Sequence, residues 1–122
     1  MTFKSEYTFE RRQKEASEIR QKHASRVPVI CEKNERSNVP LIDKKKFLVP
    51  NDLTTGQFLY VIRKRMKMSP SEALFLITEN GALPPTSSTL SEIYAKNKSD
   101  DGFLYLKYTG ENTFGWCLAG LT

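Results

Sequence analysis

Cysteine and histidine, side chains often used as nucleophile, base or metal ligand near neutral pH, are few: two cysteines, Cys31 and Cys117, and one histidine, His23. Nucleophilic catalysis needs a base within hydrogen-bond reach of the nucleophile, and a bound metal needs Cys, His or carboxylate at short, regular spacing. Neither pattern is present, nor is a glycine-rich loop that could cradle phosphate. An enzyme is not expected, and no metal or resident cofactor. His23 falls at the end of a polar helical stretch, where a role at the helix terminus suffices. Lys44-Lys45-Lys46 alone reads as a solvated run of charge, and Gly115 after Phe114 alone reads as a tail glycine.

The 122 residues form one domain by length and can bury a core amounting to roughly two-thirds of the unfolded surface. Lys and Arg exceed Asp and Glu by 19 to 14, a net charge of +5. That favours acidic peptides, anionic lipid or nucleic acid as partners. No apolar run approaches the ~20 residues that span a bilayer. The first residues lack a signal-peptide core, and no glycine follows Met1 for myristoylation. Both cysteines are expected to be reduced, as in a cytoplasmic chain.

Residues 8–23 are charge-rich, with Glu10–Lys14 and Glu18–Lys22 at helical spacing. Phe9, Ala16 and Ile19 are the apolar positions, so this helix should lie on a core. Residues 26–32 read as a strand with Val27, Val29 and Cys31 on one face and Pro28, Ile30 and Glu32 on the other. Pro28 lacks a ladder donor, which suits a sheet edge. A second strand covers 46–50. Thr54 and Gln57 form a capping box opening a helix to about Arg65, with Phe58, Val61 and Ile62 on one face. Residues 73–78 read as a third strand, buried on both sides. Asn80-Gly81 predicts a hairpin turn into a short strand at Ala82-Leu83, stopped by Pro84-Pro85. Thr89 and Glu92 cap a short helix to about Asn97, and Asp101-Gly102 turns into a last strand at 103–108. The order helix, ββ-α-ββ-α-β predicts an α+β fold: a β-grasp sheet wrapped on a helix, with an added N-terminal helical segment.

The blocks Arg26-Val27-Pro28-Val29-Ile30-Cys31-Glu32-Lys33, Asp43-Lys44-Lys45-Lys46-Phe47-Leu48-Val49-Pro50, Gly56-Gln57-Phe58 and Ile62-Arg63-Lys64-Arg65 closely resemble the autophagy ubiquitin-like modifiers. Relatives include the GABA-receptor-associated protein and the microtubule-associated light chains. Pro84-Pro85-Thr86, Asp101-Gly102-Phe103-Leu104-Tyr105 and Gly110-Glu111-Asn112-Thr113-Phe114-Gly115 continue the resemblance, which spans nearly all of 9–115. It departs at His23 and Ala24, where relatives carry an aromatic residue and a proline, and at the Glu79-Asn80-Gly81 turn, one residue longer than in many.

The resemblance implies a ubiquitin-like fold divided into an N-terminal helical segment (1–24), a β-grasp core (25–109) and a flexible C-terminal tail (110–122). It implies a non-enzymatic modifier, trimmed after Gly115 by a cysteine protease that recognises Phe114-Gly115. Activating and conjugating enzymes would pass the new carboxylate through thioesters to the amine of phosphatidylethanolamine. Only glycine lets the backbone approach such narrow sites without a clashing Cβ. It also implies receptors bearing an aromatic-x-x-aliphatic motif that add a strand to the edge of the second strand. The aromatic pocket would be Glu15, Ile19, Pro28, Ile30, Lys46, Leu48 and Phe103. The aliphatic pocket would be Phe47, Val49, Pro50, Leu53, Phe58, Val61 and Ile62, and an acidic flank would meet Arg26, Lys44, Lys45, Lys46 and Arg65. The location implied is cytoplasmic, then the autophagosome membrane through lipid conjugation, then lysosome or vacuole.

Without the resemblance, most of these apolar residues would simply be core. The competing reading is an unlipidated β-grasp adaptor for acidic peptides or microtubules, which has no need of Phe114-Gly115. A nucleic-acid binder rests on charge alone, lacks an interleaved aromatic and basic platform, and is not expected.

Overall fold

The structure is a computed structural model that describes residues 2–35, 37, 39–69 and 72–110. Its elements are α1 (Phe3–Glu6), α2 (Phe9–Lys22), β1 (Arg26–Lys33), β2 (Lys46–Pro50), α3 (Thr55–Met66), β3 (Phe75–Thr78), α4 (Leu90–Asn97) and β4 (Leu104–Thr109). The strands form one mixed sheet in the order β2-β1-β4-β3. β1 is antiparallel to β2 and parallel to β4, and β3 is antiparallel to β4.

The alternation expected of the first strand sorts its residues onto two cores. Val27, Val29 and Cys31 join Phe47, Val49, Phe58, Ile62, Leu90, Leu104 and Leu106 in the larger core, beneath α3 and α4. Ile30 joins Phe3, Ala16, Phe103 and Tyr105 in a smaller one beneath the N-terminal helices. Burying a side chain of this size contributes roughly 1.5–3 kcal/mol, so both faces of the sheet are anchored. Both expected capping boxes are present: Thr54 and Gln57 on α3, Thr89 and Glu92 on α4. Thr8 caps α2 by accepting from the Arg11 N–H.

Three expectations change. Pro28 lies in an interior strand, not at an edge. Cys31 N–H donates to the Lys45 carbonyl, so by antiparallel alternation the odd residues of β1 bond toward β2 and position 28 faces the other side. There the parallel pairing with β4 begins only at Val29, and no ladder bond is lost. Ala82-Leu83 is not a strand. Thr78 N–H donates to the Ala82 carbonyl, the Ala82 N–H donates back to Thr78 Oγ1, and the chain leaves through Pro84-Pro85, which have no N–H to extend a ladder. The sheet therefore has four strands among the described residues. The third change is α1, a short helix ahead of residue 8 that the polar pattern did not reveal.

Gly102 lies at φ +93, and a Cβ there would come within 3.0 Å of the Ala16 Cβ. Glycine thus serves both the turn and the close seating of α2. That seating is locked by Asp101, which is 1% exposed. Its Oδ2 accepts from Arg12 Nη1 at 2.5 Å and from the Tyr105 hydroxyl at 2.5 Å, and its Oδ1 accepts from the Phe103 N–H at 2.9 Å.

Candidate functional site: the open edge of the sheet

β2 pairs only with β1 among the described residues, so no strand covers its other edge. The alternation that frees Pro28 turns the N–H and C=O groups of Lys46 and Leu48 outward along this edge. Five residues, begun by lysine and ended by proline, make it a short template for one added strand.

Two apolar regions flank the edge, one on each face of the sheet. On the side of the N-terminal helices, the register pairs Ile30 with Lys46 and Pro28 with Leu48, which puts these four on one face. Ile19 packs on the same cluster as Ile30 and Phe103, and Lys46 Nζ pairs with the Glu15 carboxylate. The seven residues expected of the aromatic pocket thus surround one place. Lys46 and Leu48 are half-exposed, whereas Ile30 and Phe103 show no exposed surface.

On the opposite face, Phe47, Val49, Phe58 and Ile62 are core, with Leu53 packed against them. Phe47 and Phe58 meet edge to face at 5.4 Å. Val61 is exposed on α3 beside this floor. Pro50 is exposed at the strand end, and alternation puts it on the Leu48 side rather than with Phe47 and Val49.

The cations distribute around the edge, each already engaged. Arg26 Nη1 donates to the Leu48 carbonyl at 3.1 Å. Lys44 Nζ and the Arg65 guanidinium stand over the Phe47 ring at 5.2 and 5.9 Å, and Arg65 pairs with Asp43 at 3.2 Å. Lys45 sits between Glu6 at 3.6 Å and Glu32 at 3.5 Å. Acidic groups arriving at Lys45, Lys46 or Arg65 would exchange partners with carboxylates of the protein itself, so the gain there is small and salt-sensitive.

Nothing described resembles a reaction centre. Burial pushes the Cys31 thiol well above its usual range, with the neighbouring Glu32 charge acting the same way; a protonated, enclosed thiol is no nucleophile. His23 contributes its backbone N–H to the Ile19 carbonyl at the end of α2, and its side chain is exposed. No group of three His, Cys, Asp or Glu could hold a metal among the described residues, and no helix there is long and apolar enough to cross a membrane. Phe114 and Gly115 lie outside the described residues.

Sequence reasoning missed three parts of this region. Asp101 was legible only as a turn residue, because its partners Arg12 and Tyr105 come from other elements. The Arg26 bond to Leu48 spans two strands. Phe3, packed on Phe103 in the smaller core, carried only the faint signal of one large apolar residue in a polar stretch.

Comparison with known proteins agrees with this fold. The family profile described as "Autophagy protein Atg8 ubiquitin like" matches residues 11–115. The chain is 59% identical over 115 residues to Autophagy-related protein 8 of Neosartorya fischeri, covering 94% of this chain and 97% of that one. It is 60% identical over 114 residues to Autophagy-related protein 8B of Oryza sativa subsp. indica, covering 93% and 95%. A crystal structure of Trypanosoma brucei ATG8 superposes with a TM-score of 0.86 at 47% identity, covering 91% of this chain and 95% of that one. The chain belongs to the Atg8 family, the non-enzymatic ubiquitin-like modifiers of autophagy.

Proposed function

We propose that this modifier is cut after Gly115, joined through that glycine to phosphatidylethanolamine on autophagosomal membranes, and there recruits receptors and cargo through the open edge of β2. The observation that carries the recruiting role is the outward backbone of Lys46 and Leu48 between two apolar regions, ringed by cations. An extended peptide gains backbone bonds along such an edge and specificity from pockets for alternate side chains. Its aromatic residue would enter beside Ile19, Pro28, Ile30, Leu48 and Phe103, over the Glu15–Lys46 pair. Its aliphatic residue would rest on Leu53, Val61 and the ring edges of Phe47 and Phe58. Arg26, Lys44, Lys45 and Arg65 would meet an acidic flank.

The processing role is supported by the family match, which ends at Gly115. The division into 1–24, 25–109 and 110–122 follows from the same reading, with the last segment holding the cleavage point. The partners are then the processing protease, the activating and conjugating enzymes, and receptors with aromatic-x-x-aliphatic motifs. The lipid supplies membrane residence, with delivery to lysosome or vacuole afterwards.

Mass spectrometry of the chain from its own cells tests this. A species ending at Gly115, with a phosphatidylethanolamine adduct in the membrane fraction, is the expected result, and Gly115→Ala should abolish the adduct. A chain still ending at Thr122 under induced autophagy would overturn the processing and leave an unlipidated adaptor.

A further inference from the structure

The point where the chain leaves the sheet is gripped. Thr109 pairs with Phe75 of β3 at the end of β4, and the next residue, Gly110, emerges between Ser37, Val39 and Ala73. The Gly110 N–H donates to Ser37 Oγ at 3.0 Å, and the same oxygen accepts from the Val39 N–H at 3.2 Å. Ser37 is 5% exposed and is itself held. Its N–H donates to the Asn34 carbonyl at 3.0 Å, its carbonyl accepts from Lys33 Nζ at 2.7 Å, and the Asn34 N–H donates to the Tyr108 carbonyl at 2.9 Å.

The grip leaves no room for a side chain. A Cβ on Gly110 would stand 2.4 Å from Val39 Cγ1. Val39 packs against the larger core, and a β-branched side chain has few rotamers in which to retreat. Both bonds to the Ser37 hydroxyl thus fix one junction, the exit of the tail. From there the five residues Glu111 to Gly115 can reach at most roughly 17 Å. An exit held this close to the scissile bond limits where Gly115 can be presented.

We propose that Ser37 and Val39 clamp Gly110 and so position the tail for the processing protease, which would hold the folded body and the tail together. This rests on the processing reading above, in which hydrolysis of the Gly115–Trp116 peptide bond leaves a carboxylate on Gly115 and frees the amine of Trp116. Once the body is held, the tail binds intramolecularly, at an effective concentration set by the length and direction of its tether. Releasing or deflecting Gly110 lengthens and misdirects that tether. Ground state and transition state lose alike, so the loss falls on KM rather than kcat.

The test is cleavage of the full chain by the processing protease purified from the same cells, read by mass spectrometry as release of Trp116–Thr122. Gly110→Ala should raise KM about tenfold with little change in kcat. Adding Val39→Ala, which removes the obstructing methyl, should restore most of the loss, and Ser37→Ala alone should raise KM severalfold. Asp101→Ala, which loosens α2 and touches no clamp residue, should keep parental constants at a temperature where it is folded. A synthetic peptide of residues 109–122 and its Gly110→Ala form have no clamp and should be cleaved equally. Parental KM for both Gly110→Ala and Ser37→Ala, or an equal loss in the peptide pair, would overturn the clamp and leave processing standing. A loss with Asp101→Ala as large as with Gly110→Ala would reduce the effect to general destabilisation and also overturn the clamp. A parent chain left uncut after Gly115 would overturn the processing reading, and the clamp with it.

Discussion

Replacing Asp101 with alanine should detach α2 from the sheet at a definite cost. The carboxylate is buried and accepts three hydrogen bonds, two of them at 2.5 Å from the Arg12 guanidinium and the Tyr105 hydroxyl. Removing one partner of a buried ion pair costs about 3–5 kcal/mol, because the other charge remains without compensation. Arg12 keeps 12% of its side-chain surface in solvent, so some of its charge can rehydrate, and we take the lower end, about 3 kcal/mol. For a domain of this size that corresponds to roughly a 10 °C fall in Tm. Urea unfolding of parent, Asp101→Ala, Arg12→Met and the double variant Arg12→Met with Asp101→Leu forms the assay. The double variant leaves no charge behind and should be less destabilised than the singles, while the Tyr105 hydroxyl and the Phe103 N–H, left without their acceptor, keep it below the parent. Hydrogen exchange should localise the damage to α2 and spare α3. A loss below about 1 kcal/mol, or a double variant no better than the singles, would refute the view that this network seats the helix.

Leu48→Arg should leave the fold intact, since Leu48 is half-exposed, and weaken peptide binding at least tenfold by calorimetry; an unchanged Kd would mean the peptide uses another surface. Lys67 ends α3 at φ +57, a conformation that costs a non-glycine residue about 1 kcal/mol. Lys67→Gly should raise stability by about 0.5–1 kcal/mol in urea unfolding. Gly102→Ala should lower it by about 1–3 kcal/mol through strain at φ +93 and pressure on Ala16. Burial holds the Cys31 thiol and the Tyr105 and Tyr108 phenols above their ordinary values of 9.0, 10.0 and 10.0. The unfolded chain loses these protons first as pH rises past 9 to 10, so it binds fewer than the folded protein and stability falls. Each group steepens the decline as pH passes its ordinary value, and Cys31→Ala should make the decline from pH 9 to 10 shallower.

The sequence by itself determined what local chemistry can determine. The capping boxes at Thr54 and Thr89 placed two helix starts, because the cap and its partner lie three residues apart. The alternation of 26–32 assigned Val27 and Val29 to one face and Ile30 to the other, because side chains on a strand point alternately. The block resemblance from Phe9 to Gly115 identified the family and named the residues around the second strand. The resemblance also implied an open edge on the second strand; tertiary structure alone decided which strand lies beside which, and with it that Pro28 is interior. The Ala82-Leu83 strand failed because a turn signal does not supply the partner donors, and two prolines remove them. The Asp101 network and the seat of Phe3 were illegible for a single reason. Their partners are 89 residues apart for Arg12 and Asp101, and 29 for the Phe3 backbone and Glu32. Such contacts form only when the folded chain brings distant segments together, and no periodicity or spacing along the sequence encodes them.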